Sequence, residues 1–131
     1  MGLRVLDYDG RRLTLSAPLS NNINHQLSAF GGSQFSIAAL AGWGLLELKM
    51  CELGVEADIV IAGGNVSYRA PVLDDFTCRC ELPGSWQAFV DKFSSRGKAS
   101  VELVPTVFVQ DVAAMELTGT YVVIRRESGS E

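Results

Sequence analysis

Residues 31–53 read "GGSQFSIAALAGWGLLELKMCEL", and the way this run folds decides what the rest of the chain must do. Gly31-Gly32-Ser33 opens a helix with Ser33 as its cap, and Gly54 stops it at about Leu53. Between them Phe35, Ile37, Ala38, Leu40, Ala41, Trp43, Leu45, Leu46 and Leu48 leave no polar stripe, and the charges Glu47, Lys49 and Glu52 fall only in the last turns. A helix with so little polar face has to be wrapped by other structure. A bilayer is the poorer wrapping. Gln26 to Leu46 carries no formal charge and is long enough to span, but it holds four glycines, three serines and two glutamines, too polar for hydrocarbon. Gly42 and Gly44 each weaken a helix by about 1 kcal/mol relative to Ala, so the sequence predicts close packing against a backbone there.

What wraps the helix is legible on both sides of it. "RRLTLSA" (11–17) alternates, with Leu13, Leu15 and Ala17 on one face and Thr14 and Ser16 on the other, the pattern of a half-buried strand. Pro18 ends it, and "SNNINHQLSAF" (20–30) is a polar loop rich in turn formers. After Gly54 the period changes from helical to two. "ADIVIAGGNVSYRAPV" (57–72) is a long strand with a bulge or bend at Gly63-Gly64. "FTCRCEL" (76–82) points Phe76, Cys78, Cys80 and Leu82 inward. "PGSWQAFVDKFSSRG" (83–97) is a short helix with Trp86, Phe89, Val90 and Phe93 on one side. "KASVELVPTVFVQ" (98–110) and "AMELTGTYVVIRR" (114–126) are two long strands joined tightly around Asp111, with Pro105 marking an edge or bulge in the first. The tail 127–131 is predicted to be disordered. Strand, buried helix and then four strands with a helical insertion make an α+β domain: a curved, mostly antiparallel sheet around one long helix.

The composition narrows the function. The 131 residues read as one domain, 1–131, large enough to bury roughly two thirds of the unfolded surface. Net charge is −4 with the basic residues scattered, which argues against nucleic acid as a partner. Cys51, Cys78 and Cys80 have no metal-ligand spacing, and their odd number speaks against a disulfide framework. They read as buried, reduced thiols of a cytoplasmic protein. No metal or cofactor is implied, and "MGLRVLDYDG" is not a signal peptide.

The order of elements resembles the hotdog fold, and at particular residues the likeness becomes specific. "PLSNNINHQLSAFGGSQFSIAALAGWGLL" (18–46) is similar to the signature of a hotdog thioesterase family that also occurs as a C-terminal domain behind GNAT-type acetyltransferases. Asn22, Asn24, the run from Ala29 to Ser33 and Ala41 to Gly44 carry the match, and "VSYRAPV" (66–72) resembles the Tyr-x-x-Pro-Val strand of such enzymes. The likeness spans about Leu13 to Arg125, with no acetyltransferase domain in this chain. It implies a homodimer or dimer of dimers with sheets joined edge to edge. It also implies acyl thioesters of coenzyme A or acyl carrier protein as substrates, entering a groove at the dimer interface.

Thioester hydrolysis needs a polarised carbonyl, a held water and a base or nucleophile. Amides at a helix N-terminus supply the first, and glycines let the substrate approach them, which singles out Gly31 and Gly32. Asn24 and His25 are candidates for holding and activating water, since an amide orients water and neutral His25 can also take a proton. Asn22, Phe30, Ser33 and Tyr68 are candidate substrate contacts; the apolar surroundings of Tyr68 and Trp43 favour reading both as core aromatics over tunnel-lining ones. The departures from better-understood hotdog enzymes are clear. Phe30 stands where many have His, and no acid precedes Glu47, which lies about 21 Å along the helix from Ser33. Asp74 and Asp75 are the carboxylates to test from a partner subunit. Without a helix acid, dehydration ranks below hydrolysis. A non-catalytic acyl or acyl-CoA binding module is the principal alternative, and a purely structural dimer the third.

Overall fold

The computed structural model describes residues 3–18 and 31–126, with residues 31–33 as backbone; the predicted disordered tail lies outside this range. The elements are β1 (Arg4–Tyr8), β2 (Arg12–Ala17), α1 (Gly31–Glu52), β3 (Ala57–Tyr68), β4 (Phe76–Glu81), α2 (Trp86–Arg96), β5 (Lys98–Leu103), β6 (Thr106–Val109) and β7 (Val112–Arg125). The strands form one sheet in the order β1-β2-β4-β6-β7-β3, with β5 also on β7, and every pairing is antiparallel. The sheet curves around α1, which touches β2, β3, β4, β6 and β7, while α2 lies on β5. This is the expected hotdog arrangement.

α1 ends as its sequence predicts. Gly54 adopts φ +71°, its N–H donates to the Cys51 carbonyl, and the Val55 N–H donates to the Met50 carbonyl. These paired bonds satisfy two carbonyls that the helix leaves open, and only a residue without Cβ takes this conformation without strain. The same end is tied to the β1–β2 turn. Lys49 Nζ donates to the Gly10 carbonyl at 2.9 Å and to Glu52 Oε1 at 2.8 Å, and the Tyr8 hydroxyl donates to Glu52 Oε2. Burial first, and then that bond to Glu52, push the Tyr8 phenol up to about 12, so it remains a donor at neutral pH.

The glycines at 42 and 44 do not meet a backbone, as expected from sequence, but side chains. A Cβ at Gly42 would lie 2.2 Å from the Tyr121 hydroxyl oxygen, and one at Gly44 would lie 3.1 Å from Leu13 Cδ2. Tyr121, 1% exposed, rises from β7 into the gap and donates its hydroxyl to the Ala39 carbonyl at 2.9 Å. Burial raises its pKa further, so the donor stays protonated.

Several strand readings need correction. β1 was not foreseen, because Arg4-Val5-Leu6-Asp7 does not alternate and the strand is largely exposed. Pairing with β2 creates it, through a turn in which Asp9 Oδ1 accepts the Arg11 and Arg12 amides at 2.9 and 2.7 Å. In β2, Leu13, Thr14 and Leu15 are all buried, so that strand is covered on both faces rather than half-buried. Residues 98–110 form two strands, not one. Pro105 has no N–H to give the ladder, yet its carbonyl accepts from Leu117 at 3.0 Å, so β5 and β6 both remain on β7 across the break. Gln110 and Asp111 turn the β6–β7 hairpin with φ of 50° and 69°. The bulge in β3 falls between Ile61 and Gly63, and β4 alternates as read.

The three thiols are free, but they are not equivalent. Cys78 and Cys80 are buried in the core, whereas Cys51, expected to be buried, is exposed in the last turn of α1. Burial raises the Cys78 thiol far above its usual range and that of Cys80 to about 12. Titration of the native protein with an aromatic disulfide should therefore register Cys51 quickly, and Cys78 and Cys80 only after unfolding in urea. Rapid reaction of all three in the native state would contradict this core. A second prediction concerns the helix. By propensity Gly42→Ala would stabilise it by about 1 kcal/mol. The Tyr121 contact reverses the sign, and urea unfolding should show a loss of about 1–3 kcal/mol from overpacking.

Candidate functional site

The first turn of α1 is built from Gly31, Gly32, Ser33 and Gln34. Ser33 is the third helical residue and not the cap, because the helix begins at Gly31, three residues earlier than a Ser33 cap requires. That shift places both glycine amides among the N–H groups with no intrahelical acceptor, at the positive end of the helix dipole. Asn22, Asn24, His25 and Phe30 lie outside the described residues.

Register locates this turn relative to the sheet. Gly44 lies against Leu13 and Lys49 reaches Gly10, so α1 runs antiparallel to β2. By the usual rises, Ala17 at the end of β2 is level with about Phe35, and the helix start is at that end of the sheet. A cleft of about 510 Å³ opens there between the end of β2 and the start of β4, with Arg4, Ser16, Asp75 and Thr77 among its walls. The other acid of the pair is occupied elsewhere: Asp74 Oδ1 accepts the Asp75 amide at 2.8 Å, and Oδ2 accepts Gln110 Nε2 at 3.1 Å. Asp74 therefore braces the β6–β7 turn.

The aromatic candidates are not in the core of this chain. Tyr68 is 56% exposed at the end of β3, and Trp43 is 41% exposed on α1. Phe35 and Leu40 are exposed beside Trp43, so the helix expected to be wrapped all round has one apolar face open. A residue the sequence reading did not single out is Gln34, 4% exposed and one of two buried polar residues among those described. Its signal was present: a long polar side chain at the head of an apolar run, where burial requires hydrogen-bonding work for it. The buried Cys78 and Cys80 thiols are held protonated and offer no nucleophile at neutral pH. Among the described residues no group of His, Cys, Asp and Glu is placed to hold a metal ion. Nor is any helix among them long and apolar enough to cross a membrane.

Comparison with known proteins agrees with this architecture. Residues 1–125 match the family model described as "Putative thioesterase (yiiD_Cterm)". A solved protein of unknown function from Chlorobaculum tepidum is similar at 33% identity and a TM-score of 0.89, over 96% of this chain and 84% of that one. A putative thioesterase from Shewanella oneidensis is similar at 32% identity and a TM-score of 0.85, over 95% of this chain and 85% of that one. A Pseudomonas aeruginosa protein at 22% identity and a TM-score of 0.81, over 95% and 84% of the two chains, shares the fold. With a family match across almost the whole described chain and a hotdog sheet around α1, the protein belongs to the yiiD_Cterm thioesterase family.

Proposed function

We propose that this protein hydrolyses acyl thioesters carried on coenzyme A or acyl carrier protein by direct attack of water. The observation that supports the reading is the helix start: in a member of a thioesterase family, Gly31 and Gly32 open α1 with amides that have no acceptor within the helix, at the same end of the sheet as the cleft. Those amides polarise the thioester carbonyl and hold the oxyanion that forms when water adds. Asn24 and His25 hold the water; His25 takes its proton and returns it to the departing thiolate as the C–S bond breaks, leaving a carboxylic acid and a free thiol. Asn22, Phe30, Ser33 and Tyr68 contact the substrate, and the buried amide of Gln34 steadies the first turn beneath it.

The acting unit is a homodimer joined along β3, which can pair further as a dimer of dimers. β3 is a 12-residue edge strand with Val60 50% exposed and Ile61 also open. A long apolar edge of this kind invites another strand. A cytoplasmic setting suits the three free thiols, one of them exposed. One observation favours a non-catalytic acyl-binding module instead: α1 carries no carboxylate before Glu47.

Thiol release from short-, medium- and long-chain acyl-CoAs separates the two readings. Turnover should fall about 100-fold or more in Asn24→Ala. It should fall by a similar factor in Gly31→Pro, which removes one amide at a helix position that tolerates proline. Binding of acyl-CoA without turnover in the wild type would select the module. For assembly, sedimentation should show a dimer that Val60→Lys with Ile61→Lys converts to monomer; a monomeric wild type would refute the edge contact.

A further inference from the structure

The open face of α1 leads somewhere specific. Between β1 and the helix lies a groove of about 350 Å³ whose walls include Leu3, Val5, Leu13, Leu40, Trp43 and Leu48. Arg4 and Glu47 are the only charged residues of its described lining. It shares Leu3 and Arg4 with the cleft at the helix start, so the two form one track along β1. The polar part of that track lies at the end of the sheet where α1 starts, and the apolar part runs toward the C-terminal half of α1.

We infer that this groove is the acyl-chain site, and that it selects long, unbranched fatty-acyl chains; the inference rests on the hydrolytic reading above for the position of the thioester. Length is the first argument. Leu40 lies about 13 Å along the helix from Gly31, and Leu48 about 12 Å beyond it. An acyl group whose carbonyl sits at the Gly31 and Gly32 amides reaches the groove only if it is long, and an acetyl group never enters. Chemistry is the second. The walls offer almost nothing for a hydrogen bond, so a peptide would leave backbone groups unpaired there, whereas an alkyl chain has none to satisfy. The volume is at the lower end of those that hold small ligands, as expected for a chain one methylene wide. The third is placement. The groove lies on β1 and β2, at the opposite end of the sheet from the β3 edge, so a dimer formed along β3 leaves it open, and the acyl chain departs here from the interface groove that the hotdog resemblance implies.

The test uses Trp43 as the reporter, in a Trp86→Phe protein, since Trp86 stacks on Phe89 at 4.9 Å and phenylalanine keeps an aromatic ring there. The probe is a non-hydrolysable alkyl-CoA thioether carrying bromine on its terminal carbon. An ω-bromohexadecyl thioether should quench Trp43 saturably. It should bind at least ~10-fold tighter than the ω-bromohexyl analogue, since each methylene seated in the groove is worth about fourfold in affinity. Val5→Phe and Leu40→Phe, which fill the groove from its two walls, should each weaken the long probe ~10-fold while circular dichroism confirms the fold. No quenching, equal affinity for both lengths, or indifference to both substitutions would overturn the groove assignment. The two readings fail separately: thioester turnover with an unquenched Trp43 overturns only the groove, and length-dependent quenching without turnover of any substrate supports the groove and overturns hydrolysis.

Discussion

One contact sets the geometry of this protein: the Tyr121 ring seated where Gly42 lacks a side chain. The ring rises from β7, which pairs with β3, β5 and β6, and its hydroxyl bonds the Ala39 carbonyl of the helix. Gly119, two residues earlier on β7, also leaves room for the ring, since a Cβ there would lie 3.1 Å from Tyr121 Cε1. Two glycines thus let one bulky side chain fix both the depth and the rotation of α1. Rotation is what the helix needs from outside, because its own pattern carries almost no preference for a buried face. With Gly42 turned to β7, Ile37, Ala38, Ala41, Leu45 and Leu46 enter the core, and Phe35, Leu40 and Trp43 are left facing out.

That rotation links the core to the proposed chemistry. A helix start can act on a substrate only if it is held still, and here the restraint comes from the far end. The paired bonds at Gly54 and the group formed by Lys49, Glu52, Tyr8 and the Gly10 carbonyl anchor the last turn of α1 to the β1–β2 turn. Between the two ends the helix is gripped at Gly42. The thiols of Cys78 and Cys80, pushed up by burial, serve only as apolar filling.

The α+β class, an antiparallel sheet around one helix, was legible because its parts declare themselves locally. The period changes from helical to two at Gly54, and β4 alternates without fault through Phe76, Cys78 and Cys80. β1 was not legible. Its residues have no burial pattern of their own, and the strand exists only because β2 offers it an edge. The break at Pro105 was visible, but not that both halves would stay on β7. Of the candidate site, the helix-start glycines stand out in the sequence only together with the polar stretch that precedes them, since a Gly-Gly alone reads as a tight turn into the helix. Gln34 and the groove at Trp43 did not stand out, since the burial of one and the exposure of the other depend on which way the helix faces.

The sequence by itself determined that an apolar helix has to be covered by a sheet, where that helix stops, and that its start is glycine-rich. These are local consequences of period, capping and backbone freedom. Only the tertiary structure decided which apolar residues of α1 are core and which line an open track, and that two of three cysteines are inert. The reason is physical: a helix apolar on every side has no internal preference for a direction, so its orientation is chosen by the residues that pack against it.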